Sequence, residues 1–201
     1  MKRVLAILLV CILAFSLASC GMFFNRNPNN NNKNNNNSSI PNTDHSSSVV
    51  DTPIQTEAPA NQDITFGDMV ITLPVGFAES NNLIPEGSTI QCLYVNSDDN
   101  LVFGAFGEEK SLFEGTYVSS LNDYLNVQHD NAKGEASEIK EDNGLRYFDY
   151  TASNEGSTFT YFSTAFESDD EYYFVQFYTM DYLYSLYEDS FLNWAHTVRK
   201  A

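Results

Sequence analysis

From residue 63 onward the apolar positions of the chain recur mostly with a period of two, the spacing of strands, and twice with the spacing of a helix. Asp63–Phe66 and Met69–Leu73 alternate on either side of Gly67-Asp68, which predicts a β-hairpin. Pro74 and Gly76 close it, and Leu83–Gly87, with Pro85 inside, reads as a loop. Ile90–Val95 and Leu101–Phe106 follow as strands, joined by the turn-forming run Asn96–Asn100. Gly104 and Gly107 let the second of these bend or approach a neighbour closely. The period then changes. Tyr117, Leu121, Tyr124, Leu125 and Gln128 fall on one helical face, Ser120 and Asp123 suit its N-terminus, and Lys133-Gly134 ends it. Four strands come next, at about Ser137–Glu141, Leu145–Thr151, Thr158–Glu167 and Tyr172–Thr179. Their connectors are short, and the first holds Asn143-Gly144, a strong hairpin signal. Short connectors force antiparallel neighbours, so these strands form a meander.

The meander is apolar on both faces. Phe148 and Tyr150 point one way, Leu145 and Tyr147 the other. Phe162 and Phe166 oppose Phe159 and Tyr161, while Tyr173, Val175 and Phe177 oppose Tyr172, Phe174 and Tyr178. A sheet with one wet face alternates more cleanly, so this sheet needs cover on both sides. The last segment supplies part of it. Ser185-Leu186-Tyr187-Glu188 has the form of a capping box, and Leu183, Tyr187, Phe191, Trp194 and Val198 make one apolar stripe. Arg199 and Lys200 suit the negative end of a helix running from about 185 to 199, with Trp194 buried against the sheet. The fold class expected is α+β, an antiparallel sheet of about 6–8 strands flanked by helices.

The chain before residue 63 follows other rules. Val4–Phe15 is almost continuously aliphatic, preceded by Lys2 and Arg3 and followed by Leu17-Ala18-Ser19-Cys20. A basic start, a short apolar run and small residues at a cleavage site make an export signal. The run is shorter than the roughly 20 residues of a membrane-spanning helix. The last four residues resemble a bacterial lipobox. The resemblance implies cleavage before Cys20, removal of a signal peptide of residues 1–19, and a diacylglyceryl thioether on the Cys20 thiol, often with an N-acyl group. Two or three acyl chains anchor stably where one is marginal. The expected location is the extracytoplasmic face of the cell membrane. Asn25–Asn37 then holds ten asparagines in thirteen residues, and the chain stays polar to Gln62, with Pro28, Pro41, Pro53 and Pro59 as breakers. Residues 20–62 read as a lipidated cysteine and a disordered tether, with a coil span of about 35–40 Å.

Residues 63–201 remain as one domain. They contain 12 Phe, 12 Tyr and 1 Trp, enough to bury a core without cross-links. Cross-links are unavailable to them: Cys11 leaves with the signal, Cys20 carries lipid, and Cys92 stands alone at an alternating position with Ile90 and Tyr94 that suits a buried strand. The domain has 24 Asp+Glu against 6 Lys+Arg, a net of −18. A surface this acidic repels nucleic acid and anionic headgroups. It serves simple solubility, or it meets a cationic partner or Ca²⁺.

The order of elements resembles the PsbP-like superfamily, which includes the extrinsic photosystem subunit, the Ran-binding Mog proteins and many small bacterial lipoproteins. The residues that carry the resemblance are Leu-Pro-x-Gly-Phe from Leu73 to Phe77, Tyr124 in the middle of the helix, the long meander, and Trp194 on the last helix. The resemblance spans residues 63–199. It implies an αβα sandwich and a binding or accessory role. The matching positions are core and turn residues, so it carries no catalytic, cofactor or metal residue onto this chain.

The nucleophile, phosphate-loop, zinc and dinucleotide signatures are missing from the sequence. His129 and His196 fall near the ends of the two helices, where they serve the helix dipole. Acidic clusters occur at Asp98-Asp99, Glu108-Glu109 and Glu167–Glu171, and they read as solvated turns. The Asp98/Asp99 and Asp169/Asp170 turns are the candidates for Ca²⁺, without the alternate spacing of an EF-hand. Tyr182, Tyr184 and Tyr187 crowd the start of the last helix, and not all of them can be buried. Two functions of different class follow. One is a non-catalytic, membrane-tethered binding or accessory module that meets an envelope protein. The other is a small extracytoplasmic hydrolase with a pair of carboxylates about 5–10 Å apart in a cleft. Solute capture for a transporter fits less well, because such receptors close two domains around a ligand.

Overall fold

The computed structural model describes residues 60–201 apart from 85, 133 and 155. The expected export signal, Cys20 and nearly all of the expected tether lie outside the described residues, as does Lys133. Folding begins slightly before residue 63. Strand β1 (Asn61–Phe66) pairs antiparallel with β2 (Met69–Pro74) around Gly67-Asp68. The side-chain amide of Gln62 in β1 donates to the carbonyls of Phe77 (2.8 Å) and Pro74 (3.3 Å).

A short strand β3 (Ala78–Glu79) follows, absent from the sequence expectation, and then a 3-10 turn over Asn81–Leu83. Strands β4 (Ile90–Asn96) and β5 (Leu101–Glu109) form a hairpin. A second 3-10 turn (Lys110–Phe113) leads into helix α1 (Leu121–Asp130). The cap of α1 is the expected one. Ser120 Oγ accepts from the Asp123 N–H at 3.2 Å and donates to the Asp123 carboxylate at 2.8 Å.

The expected strand Ser137–Glu141 is instead two short ones, β6 (Glu135–Ala136) and β7 (Lys140–Asp142). Both pair with β8 (Leu145–Asn154). Between them the Ser137 hydroxyl takes the place of a backbone acceptor for the Asp149 N–H (3.0 Å), which interrupts the ladder. The β7–β8 turn holds Asn143 and Gly144 at φ 48° and 85°, the left-handed pair that a tight two-residue hairpin requires. Strands β9 (Ser157–Glu167) and β10 (Glu171–Met180) complete an eight-stranded antiparallel sheet in the order β3-β4-β5-β10-β9-β8-β6, with β7 as the eighth strand, also paired to β8.

Both faces of this sheet are buried, with the sidedness the alternation predicts. Phe148, Tyr150, Phe159, Tyr161, Tyr172, Phe174 and Tyr178 share one face with α1. Phe162, Tyr173, Val175 and Phe177 share the other with the β1–β2 hairpin and the last helix. One strand departs from simple alternation. A bulge between Ile90 and Cys92 puts Ile90 under α1 and Cys92 with Tyr94 on the opposite face. A bulge places two residues opposite one, so the sides exchange there.

The last helix is displaced from its expected bounds. Helix α2 spans Asp181–Ala195, directly after β10. Its first turn is held by Thr160, whose hydroxyl donates to the Asp181 carboxylate at 2.6 Å. Ser185 and Glu188 therefore lie inside the helix and do not cap it. The chain leaves the helix at His196 because Thr197 bonds sideways: its hydroxyl accepts the Thr72 N–H at 2.9 Å. Arg199–Lys200 then form β11 on the free edge of β2, giving a second sheet in the order β1-β2-β11. Arg199 pairs with Asp63 and Lys200 with Asp169, so neither serves a helix end. Trp194 is half-buried, where full burial was expected; Phe191 and Ala195 are the fully buried residues of α2. The indole still faces the sheet, 5.5 Å from Phe77 and 5.8 Å from Phe177. The architecture is α+β: an antiparallel eight-stranded sheet with α1 on one face and α2 plus a small sheet on the other.

Candidate interaction surface

Helix α2 presents Phe191 and Ala195 inward, and its pitch turns Tyr182 and Leu186 outward one turn apart. Their exposures are 72% and 70%. Of the three tyrosines that crowd this helix, only Tyr182 stays on the surface. Tyr184 turns inward and its hydroxyl donates to Asp149. Burial, then that carboxylate, pushes the Tyr184 phenol far above its ordinary range. Tyr187 is half-buried with its hydroxyl 3.4 Å from Asp99.

The frame around Tyr182 and Leu186 is negative. Asp181, Glu188 and Asp189 are on the same helix. A nearby cation is Lys140, which binds Asp149 at 2.7 Å and Glu188 at 3.5 Å. Its hydrogen bond with Asp149 holds its pKa above the ordinary lysine value. Lys110, Arg199 and Lys200 are likewise paired, with Glu167, Asp63 and Asp169. Asp181 and Asp189 of α2 stay exposed. A second exposed aromatic, Tyr117 at 77%, lies on the opposite layer before α1.

The other candidate residues are dispersed. Asp99 accepts from Asn96 Nδ2 at 2.8 Å, and Asn96 Oδ1 accepts from the Asp98 and Asp99 N–H groups. Asp169 is held by Lys200. Among the described residues no three His, Cys, Asp or Glu side chains are placed to hold a metal ion, at these turns or elsewhere. His129 sits in the last turn of α1, Nε2 at 2.9 Å from the Ser137 carbonyl, edge-on to Phe148. His196 meets Asp142 at 2.8 Å on the surface and ties the β7–β8 turn to the end of α2. Cys92 is buried, and desolvation pushes its thiol up to about 12, which removes the thiolate a nucleophile needs. A shallow depression of about 280 Å³ at the β6–β8 edge is lined by Glu135 and Asp149 among others. Asp149 there is committed to Lys140 and Tyr184.

One residue read as solvated is not. Glu108 is only 3% exposed, beneath α1, where it accepts from Tyr124 Oη at 2.7 Å and Gln128 Nε2 at 3.3 Å. Continuing the alternation of β5 past Phe106 would have placed it on the same inward face.

Three solved structures to which the chain is similar can now be set beside this geometry. One is the solution structure of cyanobacterial PsbP from Synechocystis sp. PCC 6803, with 11% identity over 73% of this chain and 96% of that one, TM-score 0.46. The second is LpqN, involved in cell envelope biogenesis of Mycobacterium tuberculosis, with 13% identity over 69% and 89%, TM-score 0.42. The third is the Saccharomyces cerevisiae Ran-binding protein Mog1p, with 12% identity over 71% and 96%, TM-score 0.42. No family model matches the chain, and no curated protein matches it in sequence. The PsbP and Mog structures are those that the order of elements resembles.

Proposed function

We propose that this protein is a lipoprotein anchored through Cys20 on the outer face of the cell membrane, and that its domain is a non-catalytic binding module. Its docking face is the outer side of α2, and its partner is a protein that presents a basic segment with an apolar side chain. The observation that carries the reading is the pair Tyr182 and Leu186, exposed one turn apart in a domain whose other aromatic rings are largely spent on the two cores. Tyrosine supplies contact area at little entropic cost. The acidic frame steers a cationic partner and rejects anionic ones. Anchor, tether and small domain in series suit a module that reaches for a partner near the membrane.

The test places a photo-crosslinking phenylalanine at Tyr182 of the full-length protein in cells. A discrete adduct with a basic protein is expected, lost when Leu186→Asp is added. That substitution lies on the solvent face and leaves the fold intact within about 0.5 kcal/mol. No adduct at Tyr182, with one at Tyr117 on the opposite layer, refutes the assignment of the face.

A further inference from the structure

Glu108 is a buried carboxyl that the binding surface does not use. It projects from β5 beneath α1, and both of its hydrogen-bond donors, Tyr124 and Gln128, belong to that helix. Both donors are neutral. Among the described residues no ion pair includes Glu108. On the strand beside it, Tyr172 of β10 lies opposite in the register and stacks on Tyr124 at 4.8 Å. Lys110 lies 5.0 Å above the Tyr172 ring, and it is held by Glu167 (2.7 Å) and the Ser168 carbonyl (2.8 Å). Among the described residues, the other ionisable groups on this strand end and helix are Glu109, which is exposed, and Asp123, His129 and Asp130 on α1 itself. An unpaired charge in such a place is costly, and it is costly to the one element that covers it.

We propose that Glu108 is a proton-operated latch for α1: with its carboxyl protonated the helix closes on the sheet, and when the proton leaves to solvent the helix loosens as a unit to let water reach the carboxylate. The segment that carries α1 is built to allow this. It enters through Gly115, at φ +74° with open space around it, and through the exposed Leu112 and Tyr117. Loosening would part the Tyr124 ring of α1 from the Phe113 and Tyr172 rings on which it packs.

The direction with pH follows. Burial lifts the Glu108 carboxyl above its ordinary range by more than the bonds from Tyr124 and Gln128 lower it. A carboxyl raised in the folded state stabilises fully below its unfolded value. That contribution is lost as pH rises through the folded value. The helix is therefore tightest in mild acid and loosens toward neutrality.

Hydrogen–deuterium exchange of the full-length protein in detergent micelles, from pH 4 to 8, reads this directly once each rate is divided by its intrinsic rate. The protection of residues 121–130 is expected to fall with rising pH, by at most tenfold per unit for one proton, while β9 and β10 keep theirs. In Glu108→Gln, which keeps the shape and an acceptor for Tyr124, the protection of α1 is expected to be flat. The same fall in that variant shows that Glu108 is not its source and overturns the proposal. So does the absence of a fall in the wild type. If Glu108→Gln does not fold, Tyr124→Phe decides. It removes a donor that favours the carboxylate, so the midpoint must move to higher pH; an unmoved midpoint overturns the latch.

Discussion

The contact that holds α2 to the sheet can be weighed by truncating two residues on the same helix, Phe191 and Trp194. Phe191 is fully buried. It stacks on Phe177 with ring centroids 5.4 Å apart and planes 8° from parallel, and Phe162, Tyr184, Tyr187 and Trp194 close around it. Phe191→Ala leaves a cavity between helix and sheet that neither side can fill without moving a strand. A fully buried Phe→Ala typically costs about 3–5 kcal/mol. Trp194 is the larger side chain, but part of its indole is already in water. Truncation forfeits its contacts with Phe77, Phe177 and Phe191 and leaves a gap that opens to solvent, so about 2 kcal/mol is expected. Against a stability of roughly 5–15 kcal/mol, the first loss is a large share and the second a tolerable one. Trp194 is the single tryptophan, so urea unfolding must be followed by far-ultraviolet circular dichroism and not by fluorescence. With a slope of about 2 kcal/mol per molar, Phe191→Ala should lower the midpoint by roughly 1.5–2.5 M and Trp194→Ala by about 1 M. A Trp194→Ala loss equal to or above that of Phe191→Ala would refute this ranking and place the indole, not Phe191, at the centre of the helix–sheet contact.

Cys20→Ser is expected to abolish fatty-acid labelling and to leave the precursor uncleaved; labelling at the wild-type level would end the lipoprotein reading. Removing residues 21–59 is expected to leave the melting temperature unchanged, whereas extending the cut through residue 62 should lower stability by about 1–2 kcal/mol, because it removes the first two β1 pairs and the Gln62 hydrogen bonds. Equal melting temperatures for the two truncations would show that β1 contributes nothing at its start.

The strands and their sidedness were legible in the sequence because both are local. A period of two assigns each residue to a face, and turn residues such as Asn143-Gly144 are chosen by backbone conformation alone. Hence the meander, its two apolar faces, the Ser120 cap and the need for cover on both sides could be read before any coordinates. Tyr182 as the tyrosine left outside could not. The sequence required only that one of three remain exposed, and the choice fell to Asp149 and Asp99, which draw Tyr184 and Tyr187 inward.

What the tertiary structure decided are the matters in which a distant residue competes with a local preference. The Ser185–Glu188 capping pattern is a sound local signal, yet Thr160 from β9 holds Asp181 and starts the helix earlier. The helix stops at Ala195 because Thr197 meets Thr72, and the basic residues that suit a helix end pair with a strand instead. The depth of Trp194 follows from those two displacements. Glu108 is the clearest case. A charged residue before a turn is solvated by default, and only the arrival of α1, with Tyr124 and Gln128 as its donors, makes burial tolerable there. Periodicity and turn chemistry are properties of a few consecutive residues, so the sequence holds them outright. Where a helix begins and ends, and whether a carboxyl is dry, depend on free-energy differences of a few kcal/mol set by partners far along the chain.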